Sequence, residues 1–510
     1  MTIETLRTQS ATTPARKVAV VGAGISGVTS ASHLLRYGLD VVLFERSNAA
    51  GGVWHFDPRP SIEPRYPNDR PAPLDDKLIK GHQLEDDEVE VFNSGDGDGG
   101  DIPVLHAPPG PCYEGLQTNI PTTIMRSTLL SWPEGTPEHF GHYDVEKYIH
   151  DLSRLTGVER VIEYNTRVEE IVKDPGSDKW TLRTSSLQQT EEGYLLERKK
   201  RLFDSVVVAS GHYQEPFIPN IKGLPTWKTR FPDRITHSKC YRSPGKFKGQ
   251  NVLIIGAAVS SWDIAHQLNG HANKIYRSSR GGLFDISESL LPAIAEPVGE
   301  VESFNLPDDI NLEDWNEESH IPGTATLKDG RVLSDVHSVI LATGYLMTYP
   351  FLTGMQSSTM SREEADDRIV ITAEGGMSHN LHKDIFYIPD PSLCFVGVPF
   401  HCSAFSLFDF QGEVVSRVLS GQASLPSEEE MRAQYQRRKE TRGLGRNFHS
   451  LLHDEIPYME DILSWVNDDA KKTGIRPMAG VDSNWHASYK KFKTTAIDGL
   501  QHGDKTKIKY

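Results

Sequence analysis

The sequence predicts an α/β protein of two dinucleotide-binding domains, the second inserted in the first. Three observations predict it. Residues 18–21 are an apolar run that leads into Gly22-Ala23-Gly24-Ile25-Ser26-Gly27, a helical pattern over residues 28–37 and a second apolar strand at Asp40–Phe44 that ends on Glu45. The same order returns from Asn251. Two further apolar strands run into small-residue turns, Ala209-Ser210-Gly211 and Ala342-Thr343-Gly344, and are read as the strands where the chain leaves and re-enters the first domain.

Each part of the first pattern has a physical task, which makes the unit Rossmann-like. Gly22 permits the tight turn out of the strand. Gly24 bares the backbone to an approaching pyrophosphate, and Gly27 lets helix and strand pack closely. Phosphates then sit on the free N–H groups of the helix start, at Ile25 and Ser26, and on its positive dipole end. Glu45 has the reach to accept hydrogen bonds from an adenosine ribose. A second glycine pair follows in Gly51-Gly52-Val53-Trp54. That arrangement is similar to the extended FAD fingerprint of flavoproteins with two dinucleotide domains, so the first unit is read as FAD-binding, with Gly52, Val53 and Trp54 among its contacts.

In the second unit residues 252–255 read as a strand, Gly256-Ala257-Ala258-Val259-Ser260-Ser261 as the turn, 262–268 as a helix and 274–277 as the next strand. Ala258 and Ser261 replace the second and third glycines. Ser279, followed by Arg280, stands where Glu45 stands in the first unit. A carboxylate there would repel a 2′-phosphate, whereas Ser-Arg would receive one through charge-assisted bonds. The second unit is therefore read as NADPH-binding, with Arg277 as the fallback cation. The domain plan is FAD-binding over 15–213, NADPH-binding over 214–335, a second FAD-binding part over 336–450, and a helical or polar extension over 451–510.

Between these landmarks, residues 57–73 are Pro-rich and 74–101 acidic; the acids fail the calcium-loop spacing and read as a solvated, mobile loop. A helix is expected over 144–156, capped by Asp144, and strands over 161–173, 179–183 and 194–201. A buried strand from Phe203 ends at Gly211, where small residues let backbone approach a ligand. Residues 393–398 read as a strand and 408–419 as a helix; Ser427 with Glu430 forms a capping box for a helix to about Gly443. The tail after Gly474 reads as polar and weakly structured.

At 510 residues the chain is too long for one core. A net charge of −16 argues against nucleic acid as partner and against a polybasic membrane anchor. Four cysteines without metal-ligand spacing exclude a zinc site and a disulfide framework. The N-terminus has no apolar core for a secretory signal, and no run approaches the ~18 apolar residues of a membrane span. The expectation is a cytoplasmic protein without metal. No nucleophile elbow, HExxH or paired-carboxylate site supports a hydrolase.

With FAD first and NADPH second, the chain resembles the flavin-containing monooxygenases, most closely the fungal and yeast members, over roughly residues 17–419. The family fingerprint F-x-G-x-x-x-H-S-x-x-Y stands as Phe231-Pro232-Asp233-Arg234-Ile235-Thr236-His237-Ser238-Lys239-Cys240-Tyr241, with Asp233 in place of Gly. The resemblance implies FAD contacts at Gly22, Gly24, Gly27, Glu45, Trp54, Val168 and Gln411. It implies contacts to the nicotinamide cofactor's pyrophosphate at Ser260, Ser261 and Asp263. Asn119, preceded by Thr118 in Leu-x-Thr-Asn-x-Pro, matches the family's active-site Asn. The implied reaction transfers one oxygen atom from O2, through a flavin hydroperoxide, to an amine nitrogen or sulfur of a small molecule. The alternatives are a Baeyer–Villiger ketone monooxygenase and an NADPH-dependent flavoprotein reductase or oxidase.

Overall fold

The computed structural model describes residues 16–71, 88–93, 102–282, 284–307, 315–316 and 318–494. The expectations for the N-terminal leader, for most of the acidic stretch and for the last residues of the tail fall outside these.

The first unit is β1 (Lys17–Val21), α1 (Ile25–Arg36) and β2 (Asp40–Phe44), the strands parallel with Lys17 opposite Asp40 and Val21 opposite Phe44. The last four residues of β1 are buried, as a strand covered on both faces requires. α2 (His142–Thr156) packs Val145, Ile149 and Leu152 into the core shared with α1. It starts two residues before the expected cap: Gly141 is the cap, and Asp144 lies in the first turn, where it complements the helix dipole. β3 (Ile162–Glu163) extends the sheet beyond β2. β4 (Thr166–Lys173), β5 (Trp180–Gln189) and β6 (Gly193–Phe203) form an antiparallel meander. A strand at Val89–Asn93 lies along β6, inside the stretch expected to be loop. Its Phe92 packs with Ile102, Leu187, Tyr194 and Leu196, and that apolar contact sets the pairing. Phe203 ends β6 rather than opening the next strand; β7 (Ser205–Val208), wholly buried, returns beside β1.

The inserted unit holds β8 (Ile235–His237), β9 (Asn251–Ile255), α3 (Val259–Leu268), β10 (Lys274–Ser278), β11 (Ala295–Val298) and β12 (Ser338–Leu341). Its five-stranded sheet runs β8-β12-β9-β10-β11, all parallel. The strand that ends in Ala342-Thr343-Gly344 therefore belongs to the second sheet and is not a re-entry strand of the first. It is the equivalent of β7: each lies beside the glycine-turn strand of its own unit. The crossings between units are Glu215–Pro216 and Tyr345–Leu346, which pair with each other antiparallel.

β13 (Leu381–His382), β14 (Phe386–Tyr387) and β15 (Leu393–Phe395) complete the first sheet, in the order β13-β14-β15-β7-β1-β2-β3. α4 (Ala404–Leu419) begins before the expected start at 408 and packs against α1. A Cβ at Gly412 would lie 3.0 Å from Ser30 Cα, so glycine there sets the helix separation. α5 (Glu428–Arg442) is capped by Ser427 Oγ, which accepts from Glu430 N–H at 3.2 Å, and Gly443 follows its end. α6 (Glu455–Thr473) precedes α7 (Ser483–Phe492), which corrects the expectation of a weakly structured tail. Asp482 caps α7 through Trp485 N–H at 2.8 Å, and Trp485 and Tyr489 stack and bury against the first core.

Two buried carboxylates tie distant segments together. Asp409 accepts from Ser127 Oγ (2.6 Å), Thr128 N (3.0 Å) and Thr128 Oγ1 (2.6 Å) and meets His33 Nε2 at 3.0 Å. Asp384 takes both arms of Arg438 (2.8 and 2.7 Å) and His449 Nδ1 (2.9 Å). Removing one member of such a group strands a buried charge, a loss of about 3–5 kcal/mol.

Stability is expected to fall in mild acid. Burial holds His106, His212, His379, His382 and His401 down to about 4 and His237 to about 3. These rings stay neutral in the fold but take up protons near pH ~6.5 once unfolded. Their contribution is present above that pH and is lost as pH falls through the folded values. His55, raised by its hydrogen bond to Glu146, acts in the opposite sense. The melting temperature should change little between pH 8 and 7 and drop steadily from pH 6.5 to 4.5; equal values at pH 7.5 and 5 would contradict this.

Candidate active site

The turns of both units open onto one cleft of about 1550 Å³. Ligand pockets usually enclose ~300–1,000 Å³, so the space exceeds what one small ligand needs. Gly22, Gly24, Ile25, Ser26, Glu45, Gly52, Val53, Trp54, Val168 and Gly211 line it from the first unit, and Ser260 and Asp263 from the second. Asn119 lines it as well.

The residues fit a pyrophosphate-bearing cofactor. Gly22 has φ +100°, and a Cβ at Gly27 would sit 1.8 Å from Gly22 O, so α1 presses its backbone onto the turn. Gly24 and Gly52 face each other: a Cβ at Gly52 would come within 2.8 Å of Gly24 Cα. The result is a bare backbone cradle at a helix N-terminus. Glu45 is preset for its task. Its Oε2 accepts Ala23 N–H at 2.7 Å and its Oε1 accepts Ser47 N–H at 2.8 Å, which fixes the carboxylate at the end of β2. Gly27 itself lies outside the lining, behind the turn it packs against.

The second unit repeats the geometry. Gly256 has φ +117°, and a Cβ there would meet Ala342 O at 2.3 Å, as one at Gly22 would meet Ala209 O at 2.9 Å. Ser261 faces away from the cleft and donates to Ala258 O at 2.8 Å. Asp263 Oδ2 is buried without a hydrogen-bond partner among the described residues, and burial pushes its carboxyl up to about 6. A phosphate brought beside it would push it further up.

Asn119 is carried on a loop pinned from two sides. Thr118 exchanges backbone bonds with Phe140, and its Oγ1 accepts Phe140 N–H at 3.2 Å, so Thr118 is buried and holds the loop. Gln267 Nε2 of α3 donates to Gly115 O at 3.1 Å and fastens the same loop to the second unit. The Asn119 side chain is exposed toward the cleft.

Three other residues stand elsewhere than on the cleft lining. Gln411 is wholly buried; its Oε1 accepts Gly397 N–H at 3.1 Å and its Nε2 donates to Tyr458 Oη at 2.7 Å. It braces the backbone at Gly397, which does line the cleft. Ser279 donates its hydroxyl to Asp285, and Arg280 is exposed at the rim. Arg277, the fallback cation, is buried and donates to the carbonyls of Ala257 and Ile286, so it supports the turn.

The fingerprint segment is structural. Lys239 N–H donates to His237 Nδ1 at 3.1 Å, so Nε2 carries the proton and donates to Gly344 O at 3.1 Å. Asp233 is exposed and has no positive φ, so its turn does not require the family's glycine. Sequence reading missed Tyr213, Arg46 and Lys239 on the lining. Tyr213 sits two residues after Gly211 yet keeps 38% of its surface open to the cleft, and Arg46 directly follows Glu45. Lys239 donates to Gln214 O at 2.6 Å, and burial, with Arg46 nearby, lowers it to about 8.

The chain matches the model of the flavin-binding monooxygenase-like family over residues 110–291 and 313–476, and that of an NAD(P)-binding Rossmann-like domain over 20–72. It is 40% identical over 489 residues to the flavin-containing monooxygenase ustF2 of Aspergillus flavus, covering 92% of this chain and 95% of that one. It is 30% identical over 492 residues to the flavin-containing monooxygenase iboF of Amanita muscaria, covering 91% and 90%. Among solved structures it superposes on the S-allyl-L-cysteine S-oxygenase of Allium sativum with a TM-score of 0.67, at 23% identity and 97% and 95% coverage. The fold and cleft thus define a two-dinucleotide-domain flavoprotein oxidoreductase. Within that class the chain belongs to the flavin-binding monooxygenase-like family. It is a flavin-containing monooxygenase that takes FAD and NADPH, with O2 and a small molecule as reactants.

The cradle separates two kinds of glycine variant. A Cβ at Gly24 would meet nothing closer than Gly52 Cα at 3.5 Å. Gly24→Val should therefore fold but purify without flavin absorbance. Gly27→Val, driven into Gly22 O, should fail to fold. Full flavin content in Gly24→Val would contradict the assignment.

Proposed function

We propose that this monooxygenase oxygenates a soft nucleophile, an amine nitrogen or a sulfur, of a small molecule. The observation that carries the reading is the single cleft into which both glycine turns open, with the amide of Asn119 presented to it on a loop fastened to both units. When bound, NADPH supplies the reducing equivalents and FAD the chemistry with O2. The chain's own groups bind, orient and shield. The turns at Gly22–Gly27 and Gly256–Ser261 hold the two pyrophosphates, and Glu45 accepts from a ribose. Asn119 offers one donor and one acceptor where the two cofactors meet. Apolar walls from Ile25, Met125, Phe405 and Phe408 keep water from the reacting centre. Sulfur oxygenation is supported by the name of the garlic structure, an S-oxygenase. Ketone monooxygenases share the fold at 12% identity, and conversion of a ketone to an ester would support that second reading.

Asn119→Ala tests the role of the amide. The variant should bind FAD and accept electrons from NADPH as wild type does, because neither cradle is touched. The ratio of oxygenated product to NADPH consumed should fall about tenfold or more, with a matching rise in hydrogen peroxide, since small losses of positioning are costly to reaction geometry. Wild-type coupling in Asn119→Ala would assign Asn119 to the loop alone.

A further inference from the structure

Arg446 is the first residue of the short turn Arg446–His449, between α5 and α6. It belongs to the first unit's C-terminal part, and its side chain lines the cleft. The guanidinium lies over Gly344, where a Cβ would come within 2.9 Å of Nη1. Among the described residues no hydrogen bond or ion pair reaches that guanidinium. The neighbouring Arg362, by contrast, has Glu363 at 3.5 Å and Glu374 at 4.0 Å.

The nearest elements of the second unit belong to the loop after β10. That loop is tied off by Asp285, which accepts from Ser279 Oγ and from Gly282 N–H at 2.9 Å. Phe284 of the loop packs on His401, with ring centroids 4.3 Å apart. His401 Nδ1 meets Ser450 Oγ at 3.0 Å, and Phe400 pairs with Ser450, so the segment from Arg446 to Leu451 runs beside the loop that carries Arg280. The two cations lie within electrostatic range: burial, and then the charge of Arg280, lowers Arg446 below the usual arginine value, against the opposing influence of Tyr213. Arg280 also lacks a hydrogen bond or ion pair among the described residues. Asp285 is already engaged by its own loop. Two guanidiniums held at the domain junction without an anion are unfavourable until one arrives.

We propose that Arg446 and Arg280 form a two-domain seat for the 2′-phosphate of the nicotinamide dinucleotide, Arg280 from the second unit and Arg446 from the first. Arg280 directly follows Ser279, the position at the end of the unit's second strand where an adenosine ribose lies. A phosphomonoester carries nearly two negative charges at neutral pH and has three acceptor oxygens, enough for both forks. Arg446 thus adds to cofactor selection from outside the dinucleotide-binding unit and makes NADPH a bridge between the domains. The inference rests on the reading of the second unit as the NADPH site.

The test is calorimetric binding of NADP⁺, NAD⁺ and adenosine 2′,5′-bisphosphate to FAD-loaded wild type, Arg446→Gln, Arg446→Lys and Arg280→Gln. Loss of a charge-assisted bond predicts that Arg446→Gln binds NADP⁺ and the bisphosphate about ten- to a hundredfold more weakly, with NAD⁺ within twofold and flavin content unchanged. Arg280→Gln should do the same, and Arg446→Lys should recover part of the loss. Equal weakening of NADP⁺ and NAD⁺, or no weakening of either, would overturn the proposal. So would a loss confined to the KM of a carboxylate-bearing substrate, which would make Arg446 a substrate contact. If Arg446→Gln sheds flavin, Arg446→Lys decides: it must keep FAD and bind the bisphosphate more weakly than wild type. A wild type that binds NAD⁺ as tightly as NADP⁺ would instead refute the NADPH reading itself.

Discussion

Both cofactor cradles depend on a contact between backbone atoms. In the first unit Gly22, at φ +100°, passes beneath Ala209 O, and Gly27 of α1 presses on Gly22 O so closely that no side chain fits between. This draws the helix start down onto the end of β1, and its free N–H groups then converge on one point in the cleft. Gly256 beneath Ala342 O does the same for the second unit. There the residue equivalent to Gly27 is Ser261, fully buried with its hydroxyl bonded to Ala258 O, so that helix stands off by the width of a side chain. The two cradles are variations on one steric solution, and they differ where their cofactors differ: an acid at the end of β2, and Ser-Arg after β10.

Joining the units is the second constraint. The chain crosses between them at Glu215–Pro216 and Tyr345–Leu346, which pair side by side, and His237 bolts β8 to Gly344 at the same place. The cleft spans this junction. The fingerprint segment therefore serves the site by fixing the angle between the cradles. The loop of Asn119 serves it too, tied to Phe140 on one side and to α3 on the other.

The first unit was legible in the sequence because each glycine's reason is local: a turn, a bare approach, a close helix. The second unit was legible despite its lost glycines because strand, turn and helix keep their order. What was not legible depended on partners far along the chain. An apolar strand ending in Ala-Thr-Gly suits either sheet, and only its pairing with β8 and β9 assigns β12 to the second. α7 is too short and polar to announce itself; its two buried aromatics, Trp485 and Tyr489, are its only apolar stripe. Gln411 reaches Gly397 rather than the cleft because α4 packs so tightly on α1. Arg446, lying far from either motif in sequence, carries no local signal; the pairing of its segment with Phe400 brings it to the cleft.

The central claim is that both cradles serve one oxygen transfer within one cleft. Its most direct measurement follows the oxygen atom. Purified, FAD-loaded protein is given NADPH, isotopically heavy O2 and a thioether or tertiary amine in ordinary water, and the product is weighed by mass spectrometry. The account predicts one heavy oxygen in each sulfoxide or N-oxide formed. Product oxygen drawn from water, or NADPH consumed with no oxygenated product from any amine, thioether or ketone offered, would contradict it.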